Sequence, residues 1–170
     1  FEAITECYIP LLQVLEGWQR DGVEARLTLT LSPTLCSMWL DPLLQERYVR
    51  YLEGLIELAK KETYRTHWDP ALKPLAALYH RRFLEVREAY LTKGRNLVAA
   101  FRALQESGKL EIITSAATHA LLPLLENHPP SLRAQILVAR DHYRSCFGAD
   151  PRGIWLPECA YVDGIETVLQ

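Results

Sequence analysis

The chain has 170 residues, 49% of them hydrophobic and 24% charged, an ordinary globular composition at a length that suits one domain. Its net charge of −2 gives no electrostatic reason to expect nucleic acid or an anionic membrane as partner. No apolar run approaches the roughly 18–20 residues that a membrane span requires, and no basic-then-apolar leader with a small-residue cleavage site is visible. The chain opens at Phe1 without a methionine and so reads as a piece of something longer.

In chain order, Pro10 is expected to start a helix reading "PLLQVLEGWQR". The first strand is expected over residues 23–32, "VEARLTLTLS", where Val23, Ala25, Leu27, Leu29 and Leu31 alternate with polar residues. Asp41 caps and Pro42 begins the next helix, along which Leu44, Tyr48, Tyr51, Leu52, Leu55 and Leu58 recur at helical spacing. Asp69 and Pro70 repeat that signal ahead of a stretch running towards Leu91, and "GRNLVAAFRALQESGK" is a further helix ended by Gly108.

A second strand, "KLEIITS" (109–115), and a third, "RGIWLP" (152–157), are continuously apolar, as strands covered on both faces tend to be. Between them Ser131 opens a helix through Cys146, which Gly148 closes. Strands alternating with helices argue for a parallel α/β sheet or barrel. The helical stretch of about residues 41–107 exceeds a single crossover and reads as an inserted pair or trio of helices. Three strands make a poor closed structure, so an incomplete barrel is expected.

Reactive groups in parallel α/β folds gather where strands finish. Two places fit: Thr114, Ser115 and His119 after the second strand, and Glu158, Cys159 and Tyr161 after the third. Glu158, between Trp155 and Tyr161, is either a solvated residue at a strand end or a catalytic carboxylate, with the aromatic rings suited to the C–H face of a sugar. His119 either caps or packs, or donates a hydrogen bond to a sugar hydroxyl or to the nucleophile. Trp39 follows the first strand and could reach the same face, whereas Trp18 and Trp68 read as packing residues. Cys7, Cys36, Cys146 and Cys159 show no paired spacing, which argues for reduced thiols in a cytosolic protein rather than a zinc site or a disulfide framework. No phosphate-binding glycine loop and no Gly-x-Ser-x-Gly elbow is present.

"KLEIITSAATHALLPLL", followed by "GIWLPECAYVDGIE", resembles the second and third conserved regions of glycoside hydrolase family 57, in wording closest to its branching enzymes. "FEAITECYIPLLQVLEGW" and "LTLTLSPTLCSMWLDP" resemble the segment after that family's first strand.

The resemblance implies a partial (β/α)7 TIM-like barrel of about three parallel strands. Residues 1–170 would be an incomplete catalytic domain lacking the first strand and the C-terminal strands. It implies Glu158 as nucleophile of a retaining mechanism and His119 in the donor-sugar subsite. Trp155, Cys159 and Tyr161 would shape the pocket, with no cofactor and no metal. The family's general-acid aspartate would lie beyond Gln170, so the piece alone is expected to be inactive. The implied activity is formation of α-1,6 branches in amylose or glycogen, in the cytoplasm. Hydrolysis as an α-amylase, transfer as a 4-α-glucanotransferase, and a non-catalytic glucan-binding module are the competing readings.

Overall fold

The computed structural model describes residues 1–169, which form two compact units. One comprises Phe1–Asp21 and Leu40–Leu97, and the other Gly22–Trp39 and the chain from Val98 onward. The long helical stretch therefore divides between them.

The first unit is helical. α1 (Ile9–Arg20) has Pro10 in its first turn, but the chain is already helical before it, through a π turn over Ile4–Tyr8. Proline has no N–H and its ring clashes with the carbonyl four residues back. Here the Ile9 amide reaches back to the Ile4 carbonyl, widening the turn just ahead of Pro10. α3 (Pro42–Arg65) begins as its sequence demands: Asp41 Oδ1 accepts from the Leu44 amide at 2.9 Å and Pro42 holds the first helical position. α4 (Leu72–Thr92) is capped through Asp69 Oδ1, which accepts from the Ala71 and Leu72 amides.

Tyr48, fully buried, stands edge-on to Tyr90 with ring centroids 4.7 Å apart, and its hydroxyl meets Thr5 Oγ1 at 3.0 Å. Because the Thr5 proton goes to the Phe1 carbonyl, Tyr48 is the donor of that bond. Burial pushes the Tyr48 phenol up. Trp68 is 73% exposed, contrary to its expected packing role, because it sits in the turn between α3 and α4 rather than on a buried helix face.

The second unit carries the sheet. β1 (Leu27–Thr30), β2 (Leu110–Ser115) and β3 (Ile154–Trp155) lie in that order, both pairs parallel. Leu27 pairs with Leu110 and Thr30 with Ile113, while Ser115 pairs with Trp155. This is a partial α/β arrangement. The strands are shorter than 23–32 and 152–157 because an edge strand extends only as far as β2 runs alongside it. Gly108, in the left-handed region, precedes β2, so residues 23–26 find no strand opposite. Lys109 Nζ donates to the Val23 carbonyl instead, at 3.0 Å. β3 ends where Pro157 brings no N–H to the ladder.

Only one face of β2 is fully covered: Leu110, Ile112 and Thr114 are buried, while Glu111 and Ile113 are half-buried. On that second face Glu111 accepts from Thr28 Oγ1 at 2.8 Å.

An additional helix, α2 (Pro33–Leu40), follows β1, started by Ser32 Oγ accepting from the Leu35 amide. It turns Trp39 inward, 4% exposed and stacked on Phe101 of α5 (Leu97–Glu106) at 5.6 Å. Trp39 is thus a core residue, not a site residue.

α6 (Pro129–Phe147) starts at Pro129 rather than Ser131, with His128 Nδ1 accepting from the Ser131 amide past two prolines that have none. On the far side, Tyr143 Oη donates to the Ile112 carbonyl at 2.8 Å and pins α6 to β2. α6 closes at Gly148, φ 76°, where an added Cβ would stand 3.1 Å from Arg102 Nη2. Gly148→Ala is expected to cost about 1 kcal/mol, read as a lower urea midpoint, since an L-residue resists the left-handed region.

Candidate functional site

Three residues beyond β3 and four beyond β2 lie Glu158 and His119, at the same edge of the sheet because the strands are parallel and Ser115 is in register with Trp155. Ser115 Oγ lies 3.2 Å from His119 Nδ1 and donates to the Trp155 carbonyl at 3.0 Å, joining the two strand ends.

Both loops leave their strands through strained backbone. His119 has φ 56°, Glu158 φ 58° and Cys159 φ 54°, all in the left-handed region that non-glycine residues avoid. Such conformations cost roughly 1–3 kcal/mol each and persist only where the surroundings over-determine them.

The surroundings here are specific. The His119 amide donates to the Ala116 carbonyl at 2.9 Å. Gln135 of α6 grips the same loop three times: its carbonyl accepts from the Ala117 amide, its Oε1 from the Thr118 amide, and its Nε2 donates to Thr118 Oγ1. The Glu158 segment is a 3-10 turn, Pro157–Cys159, in which the Cys159 and Ala160 amides donate to the Leu156 and Pro157 carbonyls. Leu156 and Val162, on either side of it, pack against the buried cluster of Ala116, Leu122, Leu132 and Ile165. Both ends of the Glu158 turn are therefore anchored in one core.

The site residues themselves face water. Glu158, Cys159 and His119 are exposed, Trp155 is 45% exposed and Tyr161 57%. Among the described residues no hydrogen bond joins Glu158 to His119, and the Glu158 carboxylate has no hydrogen-bond partner. Tyr161 Oη donates to Glu166 Oε2 at 2.9 Å, an oxygen that also accepts from the Gly164 amide. The bond to Glu166 raises the Tyr161 phenol, and backbone amides, then Tyr161, hold the Glu166 carboxyl below its usual range.

A carboxylate with a lowered value in the folded protein contributes above its unfolded titration range and loses that contribution as pH falls through the folded one. Acidification through the lowered titration of Glu166, below the usual carboxylate range, should therefore release Tyr161, seen as a shift of its ring resonances before global unfolding. Glu166→Gln should reproduce the shift at neutral pH, and ring signals constant until unfolding would contradict the contact.

Among the described residues no group of three or more His, Cys, Asp and Glu stands where it could hold a metal ion. A recess of about 520 Å³ lies at the opposite, N-terminal ends of the strands, lined by Arg26, Thr28, Lys109, Glu111, Asp150 and Arg152. Within it Arg152 pairs with Glu111, while Asp150 and Lys109 pair with Arg144 and Glu24 outside its lining.

The sequence places Glu158, Trp155, Cys159, Tyr161, His119 and Ser115 at strand ends, and the structure brings Ser115, His119 and the Trp155 backbone into direct contact. Gln135 has no signal in the sequence: it lies mid-helix and reaches the loop only through the packing of α6.

Parallel strands, intervening helices and polar residues gathered at one sheet edge make this an α/β protein with an enzyme-like strand-end site. The sequence pattern of Glycosyl hydrolase family 57 matches residues 1–170. A curated 1,4-alpha-glucan branching enzyme of Thermococcus kodakarensis is 34% identical over 161 residues, 95% of this chain and 23% of its own length. The crystal structure of the α-amylase AmyC of Thermotoga maritima matches with a TM-score of 0.93 at 42% identity, over 99% of this chain and 32% of that one. A GH57-type branching enzyme of Pyrococcus horikoshii matches with a TM-score of 0.91 at 37% identity, over 95% of this chain and 30% of its own. The chain belongs to glycosyl hydrolase family 57. It spans about a quarter to a third of the length of these relatives.

Proposed function

We propose that this chain is part of the catalytic barrel of an enzyme that cuts α-1,4-glucans, amylose or glycogen, and rejoins them as α-1,6 branches. The observation that carries the reading is Glu158: an exposed carboxylate without a hydrogen-bond partner among the described residues, held in a strained conformation between two core anchors at a strand end. A solvated strand-end glutamate has no need of that backbone.

In the proposed reaction Glu158 attacks the anomeric carbon as the C1–O4 bond breaks, and the departing O4 takes a proton from a general acid. No residue of this chain is assigned that role. A glucan 6-hydroxyl then gives its proton to the same group, now a base, and displaces Glu158 from C1. Two inversions retain the α configuration. Retaining geometry requires the two carboxyls about 5–5.5 Å apart. His119 lines the donor-sugar subsite, and Trp155, Cys159 and Tyr161 flank the nucleophile, the two aromatic rings offering faces to the sugar. The four free cysteines support a cytoplasmic setting.

Hydrolysis is the second reading, favoured by the 42% identity to an α-amylase, against 34% and 37% to branching enzymes. Proton NMR of amylose incubated with the intact protein separates the outcomes. New α-1,6 anomeric signals support branching, and shortened α-1,4 chains without them move the assignment to the amylase. Unchanged amylose that is nonetheless retained by the protein leaves a glucan-binding module.

A further inference from the structure

We propose that Ser115 is the positioning residue of this site: its hydroxyl holds the His119 ring with the proton on Nδ1, so that Nε2 meets the substrate as a hydrogen-bond acceptor. The proposal rests on the reading of His119 as a donor-subsite residue, and it reverses the polarity expected from the sequence, where His119 was a donor.

The assignment follows from counting one proton. Ser115 is 0% exposed, and its Oγ has two neighbours, the Trp155 carbonyl at 3.0 Å and His119 Nδ1 at 3.2 Å. A carbonyl only accepts, so the single hydroxyl proton is given to Trp155. Towards His119 the same oxygen has only lone pairs left, and Nδ1 must be the donor. In the neutral ring the other nitrogen then carries the lone pair. His119 Nε2 makes no hydrogen bond among the described residues, and the side chain is exposed. It is free to accept from a sugar hydroxyl.

The backbone that carries the ring is itself held in place. The His119 backbone is held at φ 56° by its own turn, and Gln135 fixes the two preceding residues. Losing the Ser115 contact would also deprive the Trp155 carbonyl of this donor, at the point where β3 runs into Pro157 and Glu158. Ser115 thus links the orientation of His119 to that of the strand carrying the proposed nucleophile. The neighbouring hydroxyl is already used: Thr114 Oγ1 donates to the Ser115 carbonyl.

The test is long-range proton–nitrogen correlation NMR on the intact protein labelled with ¹⁵N-histidine, the His119 signals being identified by their loss in His119→Gln. The expected spectrum shows a protonated Nδ1 and an unprotonated Nε2. Ser115→Ala should convert this to a mixture of tautomers and lower kcat by up to about 100-fold, the scale on which a misplaced group is felt. Ser115→Thr, which keeps the hydroxyl, should restore the pattern. A wild-type ring protonated on Nε2, or a Ser115→Ala spectrum identical to wild type, overturns the proposal. The wild-type spectrum needs no variant to fold and no activity to be present. A protein inactive on amylose would sink the proposed function while leaving the Ser115 assignment measured.

Discussion

Replacing Glu158 with glutamine in the intact protein should lower glucan cleavage and transfer by about four or more orders of magnitude, the scale on which a lost covalent nucleophile is felt. The same substitution should leave the fold unchanged. The carboxylate is exposed and has no hydrogen-bond partner among the described residues, and the amide is nearly isosteric.

A companion variant separates chemistry from structure. Glu158 holds φ 58°, where glycine is at ease and an L-residue is strained. Glu158→Gly should therefore raise stability by about 1 kcal/mol, as a higher urea midpoint, while abolishing turnover. Activity falling as stability rises is what a site that stores backbone strain for function predicts. A Glu158→Gln protein that still turns over amylose would remove Glu158 from the mechanism. A Glu158→Gly protein less stable than wild type would show that the side chain, not the backbone, holds the turn.

Phe101→Ala should be the most damaging single substitution in the second unit, costing about 3–5 kcal/mol. The ring is completely buried, and nearly parallel stacking on Trp39, with 9° between the planes, adds to its area burial. Truncation would leave a cavity against Trp39. Trp68→Ala, at a largely exposed position, should stay within about 0.5 kcal/mol of wild type. Urea unfolding of the two variants checks the contrast. Equal losses would mean that Trp39 does not rest on Phe101 in solution.

Much of the architecture was legible because its signals are local. The Asp41–Pro42 cap, the Asp69 cap and the Gly148 stop each act within about one helical turn, so neighbouring residues suffice to specify them. The parallel α/β class followed from the alternation of elements. The strand-end position of Glu158 and His119 followed from a period change beside a proline or a polar run.

What depended on distant residues was decided only by the tertiary structure. β1 is four residues long because β2 offers no earlier partner, and Trp39 is in the core because α2 turns it onto Phe101, more than sixty positions away. Pro10 is tolerated within a helical run because a π turn opens ahead of it. The left-handed backbone at Glu158 depends on Leu156 and Val162 being anchored in a cluster drawn from α6 and the 3-10 turn at Leu122–Leu125. The His119 tautomer depends on a carbonyl forty residues along the chain from Ser115. Sequence alone singled out the residues proposed to carry the chemistry and the helix starts and stops, since caps, periods and motifs are written in adjacent positions. Their conformation and proton placement waited on the fold, because strain and shared hydrogen bonds exist only once remote segments meet.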